Sequence, residues 1–369
     1  MPNLFVYLDW RGDVPFGTDE FNEVDALVLS ELSYTKFEDL PDENSTPIFD
    51  ARELFFNKHT REELLKLTAF TAKAPILMDG MCDGARFSNT KIYNYESEID
   101  REKDAQFSAT TFLLDDGTAF VAFRGTDGTV VGWKEDFNLS YLPETEGQRL
   151  AVAYLNKIGS ELDCPIRVGG HSKGGNFACY AASFCEESIQ NKITCVYSFD
   201  GPGFKAEKIS LEGYKRILPK IIRIIPDTSI IGKLLTSDSK QIVIKSNASG
   251  MLQHDAFSWK IKKNRFVRTD ASELSVFIEK TMGGWLDDMS DDDRKNLTDT
   301  VFALIESTGN DTFREMSEQK WKTAEVIMSS AAGLPKESRQ ELKHLIGKLL
   351  QTGGHNAAAY FPNKNGNKD

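Results

Sequence analysis

The chain has 369 residues, 44 of them basic and 56 acidic, for a formal net charge of −12. At roughly 150 residues per domain this length suggests two domains, or one large domain with an appendage. Hydrophobic residues at 40% against 27% charged argue against wholesale disorder, and the acidic balance disfavours a nucleic-acid binder, which needs a basic excess to neutralise phosphates.

The first ten residues hold too short an apolar stretch for a signal-peptide core, and Arg11 and Asp13 follow at once. No window approaches a membrane-spanning length of apolar residues, so no transmembrane helix is expected. Cys82, Cys164, Cys179, Cys185 and Cys195 form no Cys-x-x-Cys pair. Neither a disulfide framework nor a zinc site is therefore expected, and the reading is of a cytoplasmic protein without cofactor or metal.

In chain order, Asp25 to Leu32 and Thr60 to Thr68 have helical spacing, the second with Thr60 as N-cap and Glu63 three residues on. Residues 1–104 read as a helical lead-in and not as a separate domain. Phe107 to Leu114 and Thr118 to Phe123 read as strands around the Asp115-Asp116-Gly117 turn. Glu144 to Leu162 reads as an amphipathic helix. Strands at Pro165 to Gly169, Ile193 to Phe199, Lys220 to Ile225 and Gln241 to Lys245 follow, with a small-residue helix at Gly174 to Glu187. This alternation predicts an α/β fold with a mainly parallel sheet.

After about residue 268 the spacing turns helical, at Ser272 to Met282, Asp291 to Ser307, Thr312 to Ala332 and Pro335 to Leu350. The acids between Asp287 and Asp293 suit a helix N-terminus. The expected division is a body over 1–268 and a helical subdomain over 269–369, frayed from Asn363 to Asp369. The amphipathic stretches Asp299 to Ile305 and Ala324 to Met328 either pack on the body or dock a protein partner. Lys260 to Arg265 reads as a solvated strand edge, not a nucleic-acid contact.

The chemistry centres on Gly170-His171-Ser172-Lys173-Gly174. A serine at a sharp strand-to-helix turn needs neighbours without bulk two positions before and after it, and the helix it opens offers free N–H groups to a developing oxyanion. A nucleophilic serine needs a base, and the base an orienting acid, in the order Ser, Asp or Glu, His. Of the five histidines, His171 adjoins the serine and His59 precedes it, while His344 and His355 lie in the tail. His254 remains. Asp227, after the strand ending at Ile225, is the expected acid. Asp200, after Phe199, is its rival, or else caps the turn over Gly201. The oxyanion donors are expected to be the N–H groups of Lys173 and Thr126, with Gly125 permitting close approach. The Lys173 side chain is expected either in a surface salt bridge or reaching toward an anionic substrate.

These motifs resemble the class 3 (fungal-type) lipases of the α/β-hydrolase fold. The likeness rests on Phe123-Arg124-Gly125-Thr126, Trp133-x-x-Asp136 and Gly170-His171-Ser172-Lys173-Gly174-Gly175. Tyr7 to Asp13 and Phe21 to Leu27 resemble a bacterial family of lipase-like proteins. The first resemblance implies an oxyanion role for Thr126, support from Asp136, and a lid over Asp127 to Asp136, hinged at Gly128 and Gly132 with Trp133 on its apolar face. Lys173 departs from the lipase pattern, which has an apolar residue after the nucleophile. The implied activity is hydrolysis of a small-molecule or lipid acyl ester. The alternative is a scaffold of reduced catalysis whose helical segment binds a partner.

Overall fold

The computed structural model describes residues 3–41, 45–66 and 70–360. Eight strands form one sheet in chain order: β1 (Thr46–Pro47), β2 (Lys91–Asp100), β3 (Ala105–Leu113), β4 (Ala119–Phe123), β5 (Ile166–His171), β6 (Ile193–Phe199), β7 (Ile221–Pro226) and β8 (Gln241–Ile244). The pairings from β1 to β4 are antiparallel and those from β4 to β8 parallel. The parallel half coincides with the expected strands to within a residue or two. The β3–β4 hairpin turns through Gly117 at φ 75°, the backbone that an Asp-Gly turn requires. Lys91–Asp100 is an addition, because the lead-in was expected to be helical. The segment alternates too weakly to announce itself, and its strand identity comes from nine-residue pairing with β3.

Period-two alternation splits each strand between two cores. Phe120 and Ala122 face one side, with Leu4, Tyr7 and Leu27 from the N-terminal helices Leu4–Arg11 and Glu23–Leu32. Val121 and Phe123 face the other side, against Tyr154, Leu155 and Ile158 of the Glu146–Glu161 helix and Phe177 to Ala182 of the Lys173–Phe184 helix. This is the layering of an α/β-hydrolase fold: a mainly parallel sheet covered by helices, with a sharp strand-to-helix turn after β5.

The N-terminal layer is fastened by a buried pair. Arg86 Nε donates to Asp25 Oδ1 at 2.7 Å, Tyr7 Oη donates to the same oxygen at 2.7 Å, and the guanidinium also meets the carbonyls of Val14, Asp19 and Glu20. Both charged side chains are fully buried. The Thr60 cap is present, with Thr60 N and Glu63 Oε2 at 3.1 Å and Glu63 N and Thr60 Oγ1 at 3.2 Å. Its helix is Arg61–Lys66, and the rest of the expected segment lies outside the described residues.

The C-terminal helices are Glu273–Asp287, Asp291–Glu306, Phe313–Glu318, Lys320–Gly333 and Lys336–Tyr360. Ser290 and Asp293 form a capping box, so the acidic run sits at a helix N-terminus as its charge favours. The expected helix over 312–332 breaks at Gln319, whose backbone (φ −107°, ψ 32°) leaves the helical region. Asn363 to Asp369 lie outside the described residues. The segment is bonded to the sheet body: Val130 N donates to Asp311 O at 2.9 Å, Arg294 Nη1 to Ser140 O at 2.6 Å, and Phe137 stacks edge-on against Phe302 at 5.5 Å. Among the described residues no helix is long and apolar enough to cross a membrane.

Arg86→Met leaves Asp25 buried without its cation. Urea unfolding should show a loss of about 3–5 kcal/mol, and a loss below about 1 kcal/mol would show that the pair does not hold the N-terminal layer.

Candidate functional site

Ser172 follows β5 with φ 58° and ψ −132°, a strained backbone for a residue with a Cβ. The flanking glycines make that turn possible. A Cβ on Gly174 would collide with the carbonyl of Phe123, and one on Gly170 with the backbone of Gly174. Gly125 lies equally close: its Cβ would strike Tyr34 Oη and stand 3.1 Å from Ser172 Cβ. Ser172 N donates to Phe199 O at 2.9 Å, fixing the turn to the neighbouring strand.

His254 reaches the serine from the short 3-10 turn Gly250–His254 after β8. Its Nε2 is 2.9 Å from Ser172 Oγ, and its Nδ1 is 2.6 Å from Asp200 Oδ2. A carboxylate can only accept, so Nδ1 carries the proton and Nε2 presents its lone pair to the hydroxyl. Asp200 is completely buried. Its Oδ2 also accepts from Ser229 Oγ at 2.6 Å and its Oδ1 from Gly232 N at 3.2 Å.

The acid beside His254 is therefore Asp200, not Asp227. Strand order explains the correction. β6 is the immediate neighbour of β5, whereas β7 lies one strand further, and each step is about 4.8 Å. Asp227 serves a different contact: its Oδ1 accepts from Ser272 N at 2.8 Å, where the C-terminal helices begin.

Thr126 follows β4. Its Oγ1 donates to Asp136 Oδ2 at 2.6 Å, which leaves its main-chain N–H as the group free to face a substrate. Lys173 opens the helix Lys173–Phe184, where first-turn N–H groups have no intrahelical acceptor. Its side chain is in a salt bridge, as one of the two expectations has it, but the bridge is buried and not on the surface. It is fully buried, with Nζ 2.7 Å from Glu135 Oε2, 3.0 Å from Gln106 O and 3.1 Å from Gln106 Oε1. A four-carbon stem leaving the start of a buried helix has no route to water and ends instead on a carboxylate across the fold.

The segment expected as a lid contains the helix Val130–Asn138, capped by Thr129 Oγ1. Glu135 within it is buried, accepting from Gly147 N at 2.8 Å and Gln106 N at 3.0 Å. Lys134 pairs with Asp104 at 3.0 Å. The helix is thus bonded on its inner face to β3 and the Lys173–Phe184 helix, and at its start to Asp311.

Behind His254 lies a second layer that sequence reasoning missed. His171 stacks on it at 4.6 Å and its Nε2 donates to His254 O at 2.9 Å. Its Nδ1 meets Tyr34 Oη at 3.2 Å and Glu31 Oε1 at 3.3 Å. Burial pushes the Glu31 carboxyl well up and the His171 imidazole well down. Only the Gly170-His171-Ser172 adjacency hinted at this layer. Among the described residues no cluster of His, Cys, Asp or Glu could hold a metal ion.

The sheet and the strained serine define a member of the α/β-hydrolase fold. More narrowly, the chain belongs to the Mbeg1-like family, whose model matches residues 81–303. No curated protein matches the sequence. Among solved structures the chain is similar to M37 lipase, at 17% identity over 56% of this chain and 68% of that one, with a TM-score of 0.36. It is also similar to the Rhizomucor miehei lipase propeptide complex, at 16% identity over 49% and 66%, TM-score 0.34. A deletion mutant of that complex gives 14% identity over 70% and 93%, TM-score 0.37. The fold assignment rests on the sheet and the turn, not on these likenesses.

Burial raises the Asp136 carboxyl from its usual 3.8 to about 6, against the opposing pull of the Lys173 ammonium and the Thr126 hydroxyl. The folded state therefore holds a proton that the unfolded chain has released between pH 3.8 and about 6, and stability falls as pH rises through that window. Asp136→Asn cannot titrate. Thermal melts across the window should show wild type losing stability relative to the variant, and parallel curves would contradict the assignment.

Proposed function

We propose that the protein is a serine hydrolase that cleaves a carboxylic acyl ester through an acyl-enzyme on Ser172. The observation that carries this reading is the continuous chain Ser172–His254–Asp200, with links of 2.9 and 2.6 Å. In the proposed reaction Ser172 Oγ attacks the ester carbonyl while His254 Nε2 takes its proton. Asp200 holds the imidazole in the required tautomer and stabilises its positive charge. His254 returns the proton to the departing alcohol. Water, activated by the same nitrogen, then releases the acid and restores the serine.

The main-chain N–H groups of Thr126 and Lys173 are assigned to the oxyanion, each worth roughly 3 kcal/mol in the transition state. Gly125, Gly170 and Gly174 support the geometry, and Asp136 orients Thr126. The likeness of Phe123 to Thr126 and of Gly170 to Gly175 to class 3 lipases agrees with these roles. With a net charge of −12, a soluble ester suits the surface better than an anionic membrane, which would repel it.

A second reading, docking of a protein partner on the helical segment, draws support from Trp321 at 82%, Leu350 at 71% and Met328 at 67% exposure. In that reading the α/β body is a scaffold of reduced catalysis.

A fluorophosphonate probe should label the wild type at Ser172 and leave Ser172→Ala untouched. Asp200→Asn should lower turnover of a p-nitrophenyl ester on the order of 10⁴-fold, whereas Asp227→Asn, outside the site, should stay within about tenfold. Labelling that persists in Ser172→Ala would refute the nucleophile, and a larger loss for Asp227→Asn would refute the acid.

A further inference from the structure

We propose that the buried Lys173–Glu135 ion pair is a positioning device that sets the two halves of the oxyanion hole against each other. The proposal rests on the acyl-transfer reading of Ser172. The two donors belong to different elements: Lys173 N–H opens the helix after β5, and Thr126 N–H lies in the loop after β4. No covalent link fixes their separation, yet an oxyanion hole works only when both donors converge on one point.

The side chains supply the link. Lys173, the residue contributing one N–H, sends its ammonium 2.7 Å from Glu135 Oε2. The next residue, Asp136, accepts the Thr126 hydroxyl at 2.6 Å. The path therefore runs from one donor residue to the other through two adjacent carboxylates of a single helix.

Both ends of the pair are held in direction as well as distance. The ammonium meets three acceptors, Glu135 Oε2, Gln106 O and Gln106 Oε1. The Glu135 carboxylate takes two main-chain N–H groups besides, from Gln106 and Gly147. Glu135 is thus anchored to β3 and to the start of the Glu146–Glu161 helix, and the helix carrying Asp136 cannot slide without breaking several charge-assisted bonds.

Stability alone does not account for the arrangement. A buried ion pair gains little over well-packed apolar residues of the same volume, because both charges must be desolvated. What an apolar pair cannot supply is a fixed direction. The charged and titratable groups acting on Asp136 are Lys173 from the nucleophile helix, Glu135 from its own helix and His254 from across the site. Lys173 is the larger compensating charge for a carboxylate that must stay in place to hold Thr126.

Lys173→Met alone strands Glu135 in the core and is strongly destabilising, so Lys173→Met/Glu135→Gln, which buries no charge, carries the test. Three quantities are measured: thermal unfolding, the fluorophosphonate labelling rate and amide hydrogen exchange over residues 126–138. The double variant should melt near wild type, label roughly 100-fold more slowly, and exchange faster over 126–138. Adding Thr126→Val should slow labelling little further, since the same link is already broken. A double variant labelling at the wild-type rate, or unchanged exchange over 126–138, overturns the proposal. If wild type itself does not label, the acyl-transfer reading fails, and the exchange measurement decides the positioning role by itself.

Discussion

Ser172 turns from strand to helix at φ 58°, a backbone that a residue with a Cβ keeps only when its surroundings over-determine it. Much of the structure around the site supplies that over-determination. Gly170 and Gly174 admit the close approach of β4 and the helix. Phe199 O takes the serine's N–H. Gly125 brings the loop after β4 up to Ser172 Cβ. The strain costs of order 1–3 kcal/mol, which two cores, one on each face of the sheet, are large enough to absorb.

Around this turn the polar groups fall into two layers, the outer part-buried and the inner buried. The outer layer is the hydrogen-bonded set of Ser172, His254 and Asp200. The inner layer holds it in place: His171 bonds the main chain of His254, Ser229 and Gly232 fix both oxygens of Asp200, and Lys173 with Glu135 ties the Val130–Asn138 helix to the Lys173–Phe184 helix. Low surrounding polarity makes each satisfied bond directional and each unsatisfied one costly. That is why these residues form a connected network and are not scattered singly.

Much of this was legible in the sequence, and what was not has identifiable physical causes. The strained strand-to-helix turn at Ser172 declared itself because only glycine fits at Gly170 and Gly174. His254 followed by elimination among five histidines. The parallel strands showed as short apolar runs with turn residues between them. Asp200 was ranked second because both candidate acids end strands, and chain order does not say which strand lies beside β5. Lys173 was misread because a lysine is ordinarily exposed, and its partner Glu135 lies 38 positions earlier in a segment that the lipase resemblance implied to be a lid. β2 was missed because its polar face masks a strand that owes its existence to β3.

The central claim is that a carboxylate from β6, not β7, completes the site by holding His254 in the tautomer that leaves Nε2 free for Ser172. Proton NMR of the His254 ring tests it most directly, because an Nδ1–H bonded to a buried carboxylate resonates far downfield and is shielded from exchange. The account predicts such a signal in wild type and in Asp227→Asn and its loss in Asp200→Asn. Its survival in Asp200→Asn, or its loss in Asp227→Asn, would contradict the account.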